Sequence, residues 1–122
     1  MTARSALVPI ALDVVVVLAF AAVGRSNHDE GVTVSGVAGT AWPFLLGLAL
    51  GWLAAWSLGD GTALRAGVAV WVGTVAIGML LRTLGGDPPP VSFVLVAALV
   101  LGVGMVGWRA VYALALRRER AA

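Results

Sequence analysis

An all-α, four-helix transmembrane bundle is the fold class this sequence predicts, on three observations. Hydrophobic residues make up 61% of the 122 and charged residues only 11%, far outside the soluble average. Four apolar stretches each approach the roughly 20 residues that a helix needs to cross about 30 Å of hydrocarbon. Short polar breaks separate them, and four segments of this length are too few and too long for a barrel, the other spanning solution.

The predicted spans are residues 6–24, 41–58, 65–84 and 91–116, within a single domain of residues 1–122. The first runs through "PIALDVVVVLAF" and ends at "RSNHDEGVTVSG", which reads as a loop. The second, opened by "AWPF", stops at "GDGT", and the third stops at "GGDPPP", whose three prolines cannot continue a helix. The fourth ends in the arginine-rich tail. A cleaved signal peptide is the rival reading of the first span, because "MTAR" resembles an n-region; an acid inside the apolar region opposes it.

An even number of spans puts both termini on one side. Arg4, Arg65, Arg117, Arg118 and Arg120 fall there, against Arg25 and Arg82 on the other, so both termini are expected in the cytoplasm. All eight basic residues are arginine and the net charge is only +2, so nucleic-acid binding does not follow. Cysteine is absent, which excludes disulfides and thiolate chemistry. Abundant Ala, Gly, Val and Arg point to a GC-rich prokaryotic genome and hence to a prokaryotic plasma membrane, with membrane lipids as first partners.

Two charges lie inside the spans. Asp13 is seven residues into the first and Arg109 seven residues before the end of the fourth, each about 10 Å deep on antiparallel segments. An Asp13–Arg109 ion pair follows, because an unpaired intramembrane charge costs about 2.5 to 3.5 kcal/mol on insertion scales. Helical stepping from Arg109 gives Ala98, Gly102, Met105 and Tyr112, and from Asp13 gives Pro9, Val16, Phe20 and Gly24. Gly47 and Gly51 in GxxxG spacing mark a close helix contact. The competing readings are an Arg109 that snorkels to headgroups, and an Asp13 that is protonated or purely structural.

Trp52, Trp56, Trp71 and Trp108 fall in the halves of their spans nearest the termini, as interfacial anchors, core or the wall of a pocket. Trp71 and Tyr112 are the candidates for lining a ligand pathway beside the pair. A second candidate cluster, Arg25, His28, Asp29 and Arg82, lies at the opposite end, where a solvated turn with local ion pairs is the plain alternative. One histidine supplies little for a metal or haem, and no nucleotide loop or protease motif occurs. No catalytic residue, cofactor or metal is therefore expected.

The segments "ALDVVVVLAFAAVGRSNHDEG", "GTAWPFLLGLALGW", "GVAVWVGTVAIGMLLR" and "SFVLVAALVLGVGMVGWRA" resemble the prokaryotic family known as domain of unknown function 3054, over residues 11–112. The matching pieces are Asp13, Gly24, Arg25, His28, "AWPF", Trp71, "GMLLR" and "GWR". The resemblance implies a small multi-span membrane protein without an assigned activity. Two functions are carried forward. One is a transporter or channel-like protein, a possible homo-oligomer, with Asp13 and Arg109 lining a cytoplasm-facing cavity. The other is a non-transporting membrane module that binds a lipid, quinone or partner helix, with a structural ion pair. An intramembrane enzyme ranks third.

Overall fold

A computed structural model describes residues 1–26 and 32–121. Four helices make up the architecture, α1 (Ala3–Ser26), α2 (Val34–Trp56), α3 (Leu64–Leu84) and α4 (Val91–Ala121), and no strand occurs among the described residues. Each is long and apolar enough to cross a membrane. Large aliphatics such as Leu7, Leu53, Val72, Leu95, Leu99 and Val103 point outward, as a lipid environment allows and water does not.

Local chemistry sets the helix ends. Thr2 and Ser5 cap α1 reciprocally: the Ser5 N–H donates to Thr2 Oγ1 at 3.1 Å and the Thr2 N–H to Ser5 Oγ at 3.1 Å. Thr33 caps α2, its Oγ1 accepting from the Gly36 N–H at 3.0 Å. α2 therefore starts seven residues before the expected residue 41. Gly36 and Gly39 lower local helix propensity and disguise these two turns as loop, whereas the Thr33 cap starts the helix there. α4 extends to Ala121, beyond the expected 116, because Arg117, Arg118 and Arg120 complement the negative end of the helix dipole and are good helix formers. Gly59 and Gly86, with φ of 93° and 86°, take the left-handed positions that turn the chain after α2 and α3.

The helices form a closed ring in which α1 packs on α2 and α4, and α3 on α2 and α4, while α2 and α4 meet across the interior through side chains such as Phe44 and Phe93. The most extensive seam is α2 with α3 and the sparsest is α1 with α4. Glycine makes the first seam possible. A Cβ on Gly73 would stand 2.8 Å from the Gly51 Cα, and one on Gly47 would stand 2.8 Å from the Gly73 carbonyl oxygen, so the two backbones touch. Away from the termini, Phe20, Phe44 and Phe93 stack with ring centroids 5.4 to 6.5 Å apart and fill the bundle core. The buried row of α4 is Ala97, Leu101, Met105 and Arg109, in steps of four. It runs one position off the expected Ala98 and Gly102, and leaves Tyr112 on the outside.

Gly73→Ala should destabilise the protein by about 1 to 3 kcal/mol, because the added methyl meets backbone that cannot move aside. Gly107→Ala has open space around the new Cβ and should be neutral or stabilising by up to about 1 kcal/mol. Thermal melts of both variants in the same detergent check the contrast.

Candidate functional site

Where α1 and α4 run side by side, the carboxylate of Asp13 meets the guanidinium of Arg109. Arg109 Nη1 donates to Asp13 Oδ1 at 2.9 Å and Nη2 to Oδ2 at 2.8 Å, a bidentate fork between side chains with 0% exposure. Two indoles complete the carboxylate. Trp52 Nε1 donates to Oδ2 at 3.0 Å and Trp108 Nε1 to Oδ1 at 2.9 Å, so each oxygen accepts two hydrogen bonds and has no lone pair to spare. Arg109 is held as firmly. Its Nε donates to the Gly61 carbonyl and its Nη1 also to the Met105 carbonyl, both at 2.9 Å, so four of its five N–H groups are used. The guanidinium also lies over the Trp108 ring, 4.4 Å from its centroid.

Every helix helps to build this clasp. Met105, Trp108 and Arg109 come from α4, Asp13 from α1 and Trp52 from the last turns of α2. α3 supplies an absence: a Cβ on Gly67 would lie 2.7 Å from Arg109 Cδ, so glycine there makes room for the arginine stem. The α2–α3 loop is shaped to present the Gly61 carbonyl. Asp60 Oδ1 accepts from the Thr62 N–H at 2.9 Å and from the Thr62 hydroxyl at 2.8 Å, bracketing Gly61 on both sides. A side chain at Gly61 would strike the Trp52 ring at 2.7 Å. The Thr62 backbone hydrogen bond and then its hydroxyl hold the Asp60 carboxyl below its ordinary value of 3.8, against the opposing effect of burial, with a lesser contribution from Arg65.

Of the other candidate residues, Tyr112 lies beside the clasp but outside it. A groove of about 520 Å³ runs between α1 and α4, lined by Pro9, Leu12, Thr62, Trp108, Val111 and Tyr112 among others. It is mostly apolar and opens to the side of the bundle, and Trp108 is the wall it shares with the ion pair. Trp71 does not join the pair. Its Nε1 donates to the Ala98 carbonyl at 2.8 Å and its ring packs on Gly102, which ties α3 to α4 in mid-bundle. Trp71 was a candidate for its place in the half of its span nearest the termini, and depth alone does not fix which way a helical side chain points.

At the other end, Arg82 does not reach toward Arg25. Its Nη2 pairs with Asp87 Oδ2 at 2.8 Å, and its guanidinium lies 4.6 Å over the Phe93 ring. Asp87 is nearer in sequence and sits on the turn that directly follows α3. Arg25 packs against Gly36 instead. His28 and Asp29 lie outside the described residues. Among those that are described, no group of three or more His, Cys, Asp or Glu could hold a metal ion.

A family model described as "Protein of unknown function (DUF3054)" matches residues 10–112, which contain the whole clasp. The chain belongs to the DUF3054 family. No curated protein and no solved structure matches it. For this DUF3054 protein the chemistry of the site therefore has to come from its geometry: the sequence reading offered Trp52 and Trp108 as anchors, core or pocket wall but not as donors to Asp13, and it missed the Gly61 carbonyl. The available signal was depth: Trp52 lies four residues before the end of α2 and Trp108 adjoins Arg109, both level with Asp13.

Asp13→Asn leaves Arg109 buried without its counter-charge and should destabilise the fold by about 3 to 5 kcal/mol. The double variant Asp13→Leu/Arg109→Leu should lose much less than the sum of the two single variants, and thermal melts of the three measure the coupling. Asp60, its carboxyl depressed in the folded protein, contributes stability above its ordinary value of 3.8, and that contribution disappears as pH falls from there through the folded-state value. The melting temperature of wild type should accordingly drop toward that of Asp60→Asn on acidification from about pH 5 to pH 2.

Proposed function

We propose that the protein is a non-transporting, membrane-embedded binding module. Its α1/α4 groove receives the apolar part of an amphipathic membrane ligand, a lipid or quinone tail. The Asp13–Arg109 clasp holds the groove's inner wall in place. One observation carries this reading: the carboxylate is fully buried and accepts four hydrogen bonds, while the groove beside it is apolar and open sideways. A carboxylate that relays protons or ions needs an unfilled acceptor or a path to water. A laterally open apolar groove suits a molecule that arrives from the bilayer.

Transport, the first sequence reading, would require the clasp to open by breaking two indole bonds and a bidentate ion pair. The geometry therefore supports the second reading better. In this proposal the arginines at the terminal end face the cytoplasm, and the membrane is a prokaryotic plasma membrane. Assembly into a homo-oligomer is not needed, because one chain forms both walls of the groove.

Reconstitution tests both halves. With a diazirine-tailed phospholipid in the vesicles, photolabelling should favour Leu12, Val111 and Tyr112 over Leu95 and Leu99, which are at least as exposed as Leu12 and Tyr112, and Ala115→Trp, which fills the groove, should erase that preference. Uniform labelling along α4 would defeat the groove assignment. Proton flux should not exceed that of empty vesicles. A flux that a folded Asp13→Asn variant abolishes would restore transport.

A further inference from the structure

A second cavity, of about 240 Å³, lies at the end of the bundle away from the termini, between the first turns of α2 and the end of α3. Gly39, Thr40, Trp42 and Pro43 line it from α2, Arg82 from α3 and Asp87 from the following turn. The two extra turns of α2 that begin at Thr33 are what carry Gly39 and Thr40 to this place. Unlike the α1/α4 groove, this cavity gathers unused polar capacity of both signs. Arg82 spends Nη2 on Asp87 Oδ2, and its Nε and Nη1 donate no hydrogen bond among the described residues. On the same count Asp87 Oδ1, the Thr40 hydroxyl and the Trp42 indole N–H have no protein partner. Pro43 has no N–H, so the Gly39 carbonyl four residues earlier lacks the donor that a regular helix would give it. Gly39 has no side chain and lines the cavity with backbone.

Charge balance decides what fits. Arg82 and Asp87 present opposite charges 2.8 Å apart, so a simple anion or a simple cation would be attracted by one of them and repelled by the other. A ligand carrying both charges can lie antiparallel to the Arg82–Asp87 dipole. We propose that this cavity binds a small zwitterion. Its anionic phosphate or carboxylate sits on Arg82 and the Thr40 hydroxyl, and its ammonium sits against Asp87 and the Gly39 carbonyl. The same chemistry is offered by a free zwitterion in solution and by the headgroup of a zwitterionic lipid. The site is separate from the α1/α4 groove and does not depend on the function proposed for it.

The test uses the purified, delipidated full-length chain, with native mass spectrometry and thermal shift as readouts. The probes are free glycerophosphoethanolamine, dioleoylphosphatidylethanolamine in nanodiscs, and dioleoylphosphatidylglycerol as an anion without the ammonium. Protection by glycerophosphoethanolamine identifies a free zwitterion as sufficient, and protection by the ethanolamine lipid alone identifies a headgroup. Arg82→Gln and Gly39→Leu should each weaken binding about tenfold, the loss expected for a charge-assisted hydrogen bond. A Cβ at Gly39 meets nothing within 4 Å, so that variant occupies the cavity without disturbing the fold even if Arg82→Gln does not fold. Ala115→Trp, in the distant groove, should leave this binding unchanged. Equal protection by the glycerol lipid, no protection by either ethanolamine probe, or full affinity in Gly39→Leu would overturn the assignment.

Discussion

The bidentate contact between Asp13 and Arg109 is the constraint around which the rest of the bundle is arranged. Burying two charges in apolar surroundings is unfavourable in itself, and their mutual attraction offsets it only when every remaining donor and acceptor is also satisfied. That requirement dictates residues far away in sequence. It places indoles at Trp52 and Trp108 to fill the two remaining acceptor positions, and aims the Gly61 carbonyl at Arg109 Nε. It also keeps α3 free of a side chain at Gly67. The clasp lies on the α1/α4 seam, where the helices are otherwise least engaged, so the ring is joined by its most specific interaction where packing contributes least.

The opposite seam follows different physics. Lipid tails are as apolar as leucine, so two helices gain little by hiding aliphatic side chains from the bilayer and must gain by close approach. Gly47, Gly51 and Gly73 bring the α2 and α3 backbones into contact, and that contact fixes the position of the loop joining them. The loop then lies over Arg109, with the Asp60–Thr62 turn orienting the peptide between them. Glycine packing on one side of the ring thus supports charge satisfaction on the other.

Much of this was legible in the sequence, because the membrane imposes length and polarity rules stronger than local propensity. Four spans follow from hydropathy, and the meeting of Asp13 with Arg109 follows from equal depth on antiparallel segments. The Gly47/Gly51 contact follows from spacing. What escaped depends on rotation and on backbone groups. One residue of helical phase, about 100°, separates Ala98 from Ala97, and depth alone set Trp71 beside the pair when its indole ties α3 to α4. The Gly61 carbonyl has no letter of its own. The early start of α2 was hidden because Gly36 and Gly39 resemble loop, and only the reach from Thr33 to the Gly36 N–H separates cap from coil. Arg82 pairs with Asp87, a partner on the adjacent turn that needs no long-range placement.

Two prolines give the bundle a closed middle and open ends. Pro9 and Pro43 each sit inside a helix and withhold an N–H from a carbonyl one turn earlier, that of Ser5 or Gly39. In hydrocarbon such a carbonyl is tolerated only where neighbouring groups or a polar boundary can satisfy it, and in both cases the freed residue and its proline line a cavity. Between those ends the interior is filled by the phenylalanine cluster, Leu101, Met105 and the clasp. The Asp13 carboxylate there is saturated and Arg109 uses four of its five N–H groups, so a route through the bundle would have to dismantle the ion pair. The polar capacity left over lies at the two ends, where the two proposed binding sites are.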